Sequence, residues 1–157
     1  MKQQYAFQGF EKETMARALG RDISISTKFS VMVGNAIRGK SIERARKILE
    51  NVIAQKEAIK FTRFNFDRGH QKKVGPARFP VKTCEGILQL LNSAEANAHQ
   101  KNLENLYIAH ICAHKASCPW HYGRHRGRQM KRTHIEIVLV QKEGKKEDKK
   151  ETRERKK

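Results

Sequence analysis

The sequence predicts an α+β fold, with three helices packed on a small three-stranded antiparallel sheet and a long β-hairpin projecting from it. Three observations carry that expectation. Apolar residues recur at helical spacing in three separate stretches. Strand-like runs lie before the first helix and, as a pair, after the last. The resulting order is strand, helix, helix, basic loop, helix, strand, strand, and its simplest layered solution puts all three helices on one face of the sheet.

The elements follow in chain order. Residues 1–14 are polar and mixed, with Tyr5, Phe7 and Phe10 as anchors, and read as an extended N-terminal arm. MARALGRDISI, residues 15–25, ends in an alternation at Ile23 and Ile25 that points to a strand. Ser26 and Thr27 offer an N-cap to a first helix whose stripe is Phe29, Met32, Val33, Ala36 and Ile37, and Gly39 ends it. Ser41 caps a second helix with Glu43 in its first turn, where the helix dipole favours an acid. Its stripe is Ile42, Ala45, Ile48, Leu49, Val52 and Ile53, with Arg44, Arg46 and Lys47 off its centre. From Lys60 to Lys82 the periodicity breaks, and Gly69, Gly75, Pro76 and Pro80 mark a long loop. A third helix runs from about Val81 to Gln100 on Cys84, Ile87, Leu88, Leu91, Ala94 and Ala98. Two strand-like runs then follow, Leu106 to Lys115 and about Met130 to Val140. Ten extended residues span roughly 30 Å, more than a small sheet needs, so the distal half of this hairpin should project. The expected organisation is therefore an arm at 1–14, one globular domain at 15–140 with a basic insertion at 60–82 and the hairpin at 105–140, and a charged tail at 141–157. From Lys142 on, the chain carries nine Lys/Arg and five Asp/Glu with no apolar residue, and reads as disordered when free.

Charge decides the class of partner. The chain has 34 Lys+Arg against 16 Asp+Glu, a formal net charge of +18, which exceeds what solubility needs and costs stability by self-repulsion. The excess is concentrated. Between Asn105 and Ile135 there is no acid, while Lys115, Arg124, Arg126, Arg128, Lys131 and Arg132 lie there with His110, His114, His121, His125 and His134. The insertion carries seven Lys/Arg and one acid, Asp67, with Phe61, Phe64, Phe66 and Phe79 interleaved. Basic residues mixed with aromatics suit RNA, where rings stack on bases; the plainer reading is that some of these Phe anchor the loop to the core. A nucleic acid is the first candidate partner and an anionic membrane surface a weaker second. No run of about 18 apolar residues exists, so no membrane span is expected. The first residues lack a signal-peptide core, and three cysteines fit a reducing cytosol with free thiols.

Chemistry has little support. Cys112, His114, Cys118 and His121 form a tempting zinc set, but five residues separate the two cysteines and no second paired-Cys knuckle exists. His110, Cys112 and His114 read more simply as one strand face. No Gly-rich phosphate loop, Ser/His/Asp pattern or paired-carboxylate pocket stands out. Cys84 lies on a helix stripe and reads as a buried thiol, and Glu85 and Glu95 as solvated helix-face charges. Neither an enzyme nor a cofactor is expected. The rival reading is a zinc-dependent or architectural nucleic-acid-binding protein using the Cys/His-rich hairpin.

Several stretches together resemble the large-subunit ribosomal protein twenty-two family in its archaeal and eukaryotic form: MARALGRDISIS at 15–26, AIRGK at 36–40 with the SIERARKIL helix, GHQKKVGPARFPVK at 69–82, NSAEANAHQK at 92–101, and LYIAHICAHK, RHRGR and THIEIVLV along the hairpin. The resemblance covers about Met15 to Val140. It implies a structural, ribosome-bound cytoplasmic protein, with large-subunit rRNA, neighbouring ribosomal proteins and the nascent polypeptide of the exit tunnel as partners. The rRNA-contacting residues it implies are Arg17, Lys28, Arg38 and Lys40 near the first helix and Arg63, Arg68, His70, Lys72, Lys73, Arg78 and Lys82 in the insertion. In the hairpin they are His114, Lys115, Arg124, His125, Arg126, Gly127, Arg128, Lys131 and Arg132. The tunnel-facing tip would be Ser117, Cys118, Pro119, Trp120, His121, Tyr122, Gly123 and Arg124. The sequence departs from the family between Gln129 and Thr133, where the connection is short, and at Cys118, Pro119 and Trp120.

Overall fold

The computed structural model describes residues 5–124 and 126–141. Three strands make the main sheet in the order β1-β8-β5: β1 is Met15–Ile23, β5 Leu106–Lys115 and β8 Thr133–Gln141, and both pairings are antiparallel. The central strand β8 is a run of β-branched and aliphatic residues, THIEIVLVQ, buried on both faces as a middle strand requires. It begins at Thr133, so the second hairpin strand starts later than Met130.

A bulge in each outer strand sets which side chains face the helices. In β5, Ile108 pairs with Leu139 and Ile111 with Ile137, so three steps on one strand match two on the other. The extra residue lets Ile108 and Ile111 both enter the core despite their odd spacing. A second irregularity lies between Gly20 and Ile23 of β1.

Three helices, α1 (Thr27–Ile37), α2 (Ile42–Ile53) and α3 (Val81–His99), supply the rest of the core with Met32, Val33, Ile37, Leu49, Val52, Ile87 and Leu91. The expected stripes face the core, fully buried except at Phe29, Ala36, Ile48, Ile53 and Leu88, which are half-buried against it, and Leu90 joins them on α3. Gly34 of α1 brings the helix close to β5, since a Cβ there would already stand 3.4 Å from the Ile111 side chain. Ser26 and Ser41 occupy the N-cap positions of α1 and α2, but neither side chain makes a cap hydrogen bond. Between the two helices Gly39 takes φ +72, and its N–H donates to the Ile108 carbonyl at 2.8 Å while Lys40 accepts the Ile108 N–H at 2.9 Å. The helix junction is thus pinned to β5.

The insertion is not wholly irregular. Ile59–Lys60 (β2), His70–Gln71 (β3) and Gly75–Arg78 (β4) make a second small antiparallel sheet in the order β2-β4-β3. The periodicity breaks there because these strands are short and carry Gly75 and Pro76, not because the chain lacks ladder bonds. Trp120–His121 (β6) and Arg128–Gln129 (β7) pair at the end of the hairpin.

The sheet face away from the helices is covered by the N-terminal residues. Alternation puts Glu136 and Val138 of β8 there, beside Arg17 and Leu19 of β1 and His110 and Cys112 of β5. The Ala6 and Phe7 N–H groups donate to the Glu136 carboxylate at 2.8 and 3.1 Å. The Phe7 ring lies 5.3 Å from His110, and the Arg17 guanidinium lies 3.9 Å from the Tyr5 ring and 4.2 Å from Phe10. A carboxylate 1% exposed in a central strand is tolerable because charge-assisted bonds replace its hydration.

Candidate nucleic-acid interface

The basic hairpin is built by ladder bonds that run well past the sheet. The β5–β8 pairing ends at Lys115 opposite Thr133, and the Ala116 N–H then donates to the Arg132 carbonyl at 3.1 Å. After a gap, the Met130 N–H donates to the Pro119 carbonyl at 2.9 Å, and β6 and β7 continue with Trp120 opposite Gln129 and His121 opposite Arg128. Two glycines permit this closure. A Cβ on Gly123 would stand 2.6 Å from the Arg126 carbonyl oxygen, and one on Gly127 would stand 3.2 Å from the Trp120 ring. Gly127 therefore makes room for an intramolecular tryptophan, a packing reason that adds to the close RNA approach expected of it.

Of the expected tip residues, Cys118 is half-buried and the others are exposed, with Trp120 at 68% and Tyr122 at 85%. The His121 and Tyr122 rings stack at 4.4 Å. Lys115, Arg124, Arg126, Arg128 and Lys131 are exposed, as is His114. Arg132 is half-buried and its guanidinium donates to the Asp22 carbonyl at 3.3 Å, while the Asp22 N–H donates to His134 Nδ1 at 3.1 Å. His125 lies outside the described residues, as does the tail from residue 142.

The insertion presents Arg63, His70, Lys72, Lys73 and Arg78 to solvent, and Lys82 follows on the first turn of α3. Its four phenylalanines split between the two expected roles. Phe61 is buried, edge-on to Phe29 at 5.4 Å, whereas Phe64 and Phe66 are exposed and Phe79 is half-buried. Arg68 is drawn inward, its guanidinium 4.6 Å from the Phe61 ring and 4.9 Å from Phe29. Lys28 is exposed with its ammonium 5.6 Å from the Phe64 ring. Arg38 donates to the Ile111 carbonyl at 2.6 Å, and Arg17 is held by Tyr5 and Phe10. Arg17, Arg38, Arg68 and Arg132 thus have structural partners, Lys40 is half-buried, and the remaining expected lysines and arginines are exposed.

The electrostatics are lopsided. Among the described residues one ion pair forms, Arg46 with Glu95. It joins α2 to α3, so Glu95 is not the solvated charge expected of it. The basic hairpin and insertion have no acid arranged to neutralise them among the described residues.

The rival zinc set is not gathered. Cys112 faces Glu136 and His114 faces His134 across the main ladder, whereas Cys118 and His121 belong to the tip. Among the described residues no three His, Cys, Asp or Glu side chains are arranged to hold a metal. All three cysteines are free thiols. Cys84 is fully buried, and burial, aided by the Glu85 charge, pushes its thiol up to about 12, far from a nucleophile's range.

Sequence reasoning expected the arm and its aromatic anchors but missed Glu136, which holds it. The signal was present: a lone acid inside an otherwise apolar strand, IEIVLV, implies a built partner.

The family model for ribosomal protein L22p/L17e matches residues 18–140. The chain is 40% identical over 136 residues to the large ribosomal subunit protein uL22 of Thermofilum pendens, covering 82% of this chain and 90% of that one. It is 38% identical over 148 residues to the protein of that name from Methanosphaera stadtmanae, covering 88% and 96%. It is 38% identical over 144 residues to the one from Archaeoglobus fulgidus, covering 85% and 93%.

Proposed function

The chain belongs to the ribosomal protein L22p/L17e family, and we propose from that premise that its hairpin and insertion bind large-subunit rRNA and that the hairpin tip lines the nascent-peptide exit tunnel. The family makes the chain a structural constituent of the large ribosomal subunit, in a family that is not one of enzymes.

One observation carries the finer reading. The exposed cations of the hairpin and insertion have no acidic counterpart within the described fold. Closely spaced phosphates supply that counterpart, and each neutralised phosphate releases counterions, which drives binding. The shape adds reach. A two-stranded ribbon continuing beyond the sheet enters gaps between RNA helices that a helical surface cannot. Lys115, Arg124, Arg126, Arg128 and Lys131 are the contacts assigned to its sides, and Trp120, His121 and Tyr122 are assigned to the tunnel wall. Neighbouring ribosomal proteins complete the setting.

Sedimentation of lysate through a sucrose gradient, before and after a high-salt wash, tests this role. Salt-resistant co-migration with large subunits is expected. Recovery only in light fractions would overturn it.

A further inference from the structure

We propose that Phe66 is a stacking platform for one unpaired nucleobase of the large-subunit rRNA and that Arg68 is the residue that positions it. The proposal rests on the rRNA-binding role above and names one contact within it. The Phe66 side chain is 89% exposed. A lone exposed apolar side chain is common and means little by itself. What singles out Phe66 is the turn that carries it.

That turn is costly and anchored. Phe64 and Asp67, on either side of Phe66, take φ +55 and +54, a left-handed conformation that a bulky phenylalanine rarely adopts. The turn is closed by Arg68, whose Nε donates to the Phe64 carbonyl at 3.0 Å. The same guanidinium lies against Phe61 and Phe29, and Phe61 is part of the buried core. Arg68 therefore ties an exposed turn to the core through one hydrogen bond and two cation–π contacts. An arginine on this loop reads as a phosphate ligand in sequence, and the geometry gives it a positioning role instead.

The surroundings point to a base rather than to an apolar protein pocket. Arg63 and Arg68 flank the turn and Lys28 reaches the Phe64 ring, and although the insertion's single acid, Asp67, is next to Phe66, seven Lys/Arg surround it in the insertion. An exposed aromatic face on an insertion of strongly positive net charge matches a nucleobase linked to phosphate. The base must be unpaired, because the faces of bases stacked in an RNA duplex are closed to a protein ring. A preformed turn loses little freedom on binding, which gives the strained backbone a use.

The test assembles large subunits with full-length wild-type protein and with Phe66→Ala, Phe66→Trp and Arg68→Lys, and maps rRNA reactivity by 2′-hydroxyl acylation. The expected result is one small group of nucleotides that gains reactivity several-fold in Phe66→Ala and in Arg68→Lys but not in Phe66→Trp. Affinity for rRNA should fall on the order of ten-fold in Phe66→Ala. Arg68→Lys keeps the charge, so a direct phosphate contact would survive it, while the Nε hydrogen bond that closes the turn on the Phe64 carbonyl would not. Exclusion of Phe66→Ala from subunits with Phe66→Trp retained also supports the proposal. Incorporation of Phe66→Ala with an unchanged reactivity map overturns it, as does exclusion of both variants. So does a photoreactive side chain in place of Phe66 that cross-links a neighbouring protein and no rRNA. Failure of the wild-type protein to bind rRNA at all would instead remove the rRNA-binding reading on which this rests.

Discussion

Glu136 sits in the middle of the central strand, 1% exposed, and its two oxygens take the N–H groups of Ala6 and Phe7. Removing the carboxylate leaves two donors under the arm without a partner. Glu136→Ala should therefore lower stability by about 1–3 kcal/mol in urea unfolding, and the arm should become the first site of proteolytic cleavage. Glu136→Gln keeps one carbonyl oxygen and should lose less. Cys84 is a second informative residue. Its folded thiol holds its proton to about 12 against 9.0 for an ordinary thiol, so folding favours the protonated form. The stability this contributes is complete below pH 9.0 and is lost as pH rises from there toward about 12. Replacing Cys84 with alanine should flatten that alkaline decline in thermal melts. In the native protein at pH 8, a thiol reagent should modify the half-buried Cys118 and leave Cys84 intact.

At the scale of elements, the hairpin contains two unlike parts. The β5–β8 ladder is held in the main core by Ile108, Ile111, Ile135, Ile137 and Leu139. The β6–β7 pair has two residues on each side, all exposed, too few to be stable without support. Hydrogen exchange of the free protein should show protected amides in β5 and β8 and rapid exchange across residues 117–128, with protection gained in the subunit. Slow exchange of that tip in the free protein would contradict this account. Gly123→Ala places a methyl group against the Arg126 carbonyl, so it should weaken rRNA binding while leaving the unfolding midpoint of the domain unchanged.

Legibility follows from how local each element is. The three helices were readable because Met32, Val33 and Ile37, or Ile87 and Leu91, meet the same core at one helical period. Leu106–Lys115 was readable as a strand-like run with His110, Cys112 and His114 on one face, though the bulge that realigns Ile111 depends on a partner strand and left no local mark. The β2-β4-β3 sheet was hidden for a similar reason: two-residue strands are defined by pairing, not by period. At the site, acid-free charge was visible in sequence. The division of arginines between outward cations and internal clamps was not, because Arg68, Arg17 and Arg38 are occupied by groups distant in the chain or buried in the core.

For the whole molecule, a net charge of +18 with one ion pair among the described residues makes salt the main variable of binding. Affinity for rRNA fragments should fall on the order of a thousand-fold between about 50 and 200 mM salt, and a flat salt response would argue against phosphate neutralisation. We propose that this charge carries the tip to the tunnel wall, and a cross-linker tests that placement most directly. A photoreactive side chain replacing Tyr122, in ribosomes stalled on a short nascent chain, should cross-link both large-subunit rRNA and the nascent polypeptide. Cross-links confined to proteins on the solvent side of the subunit would contradict it.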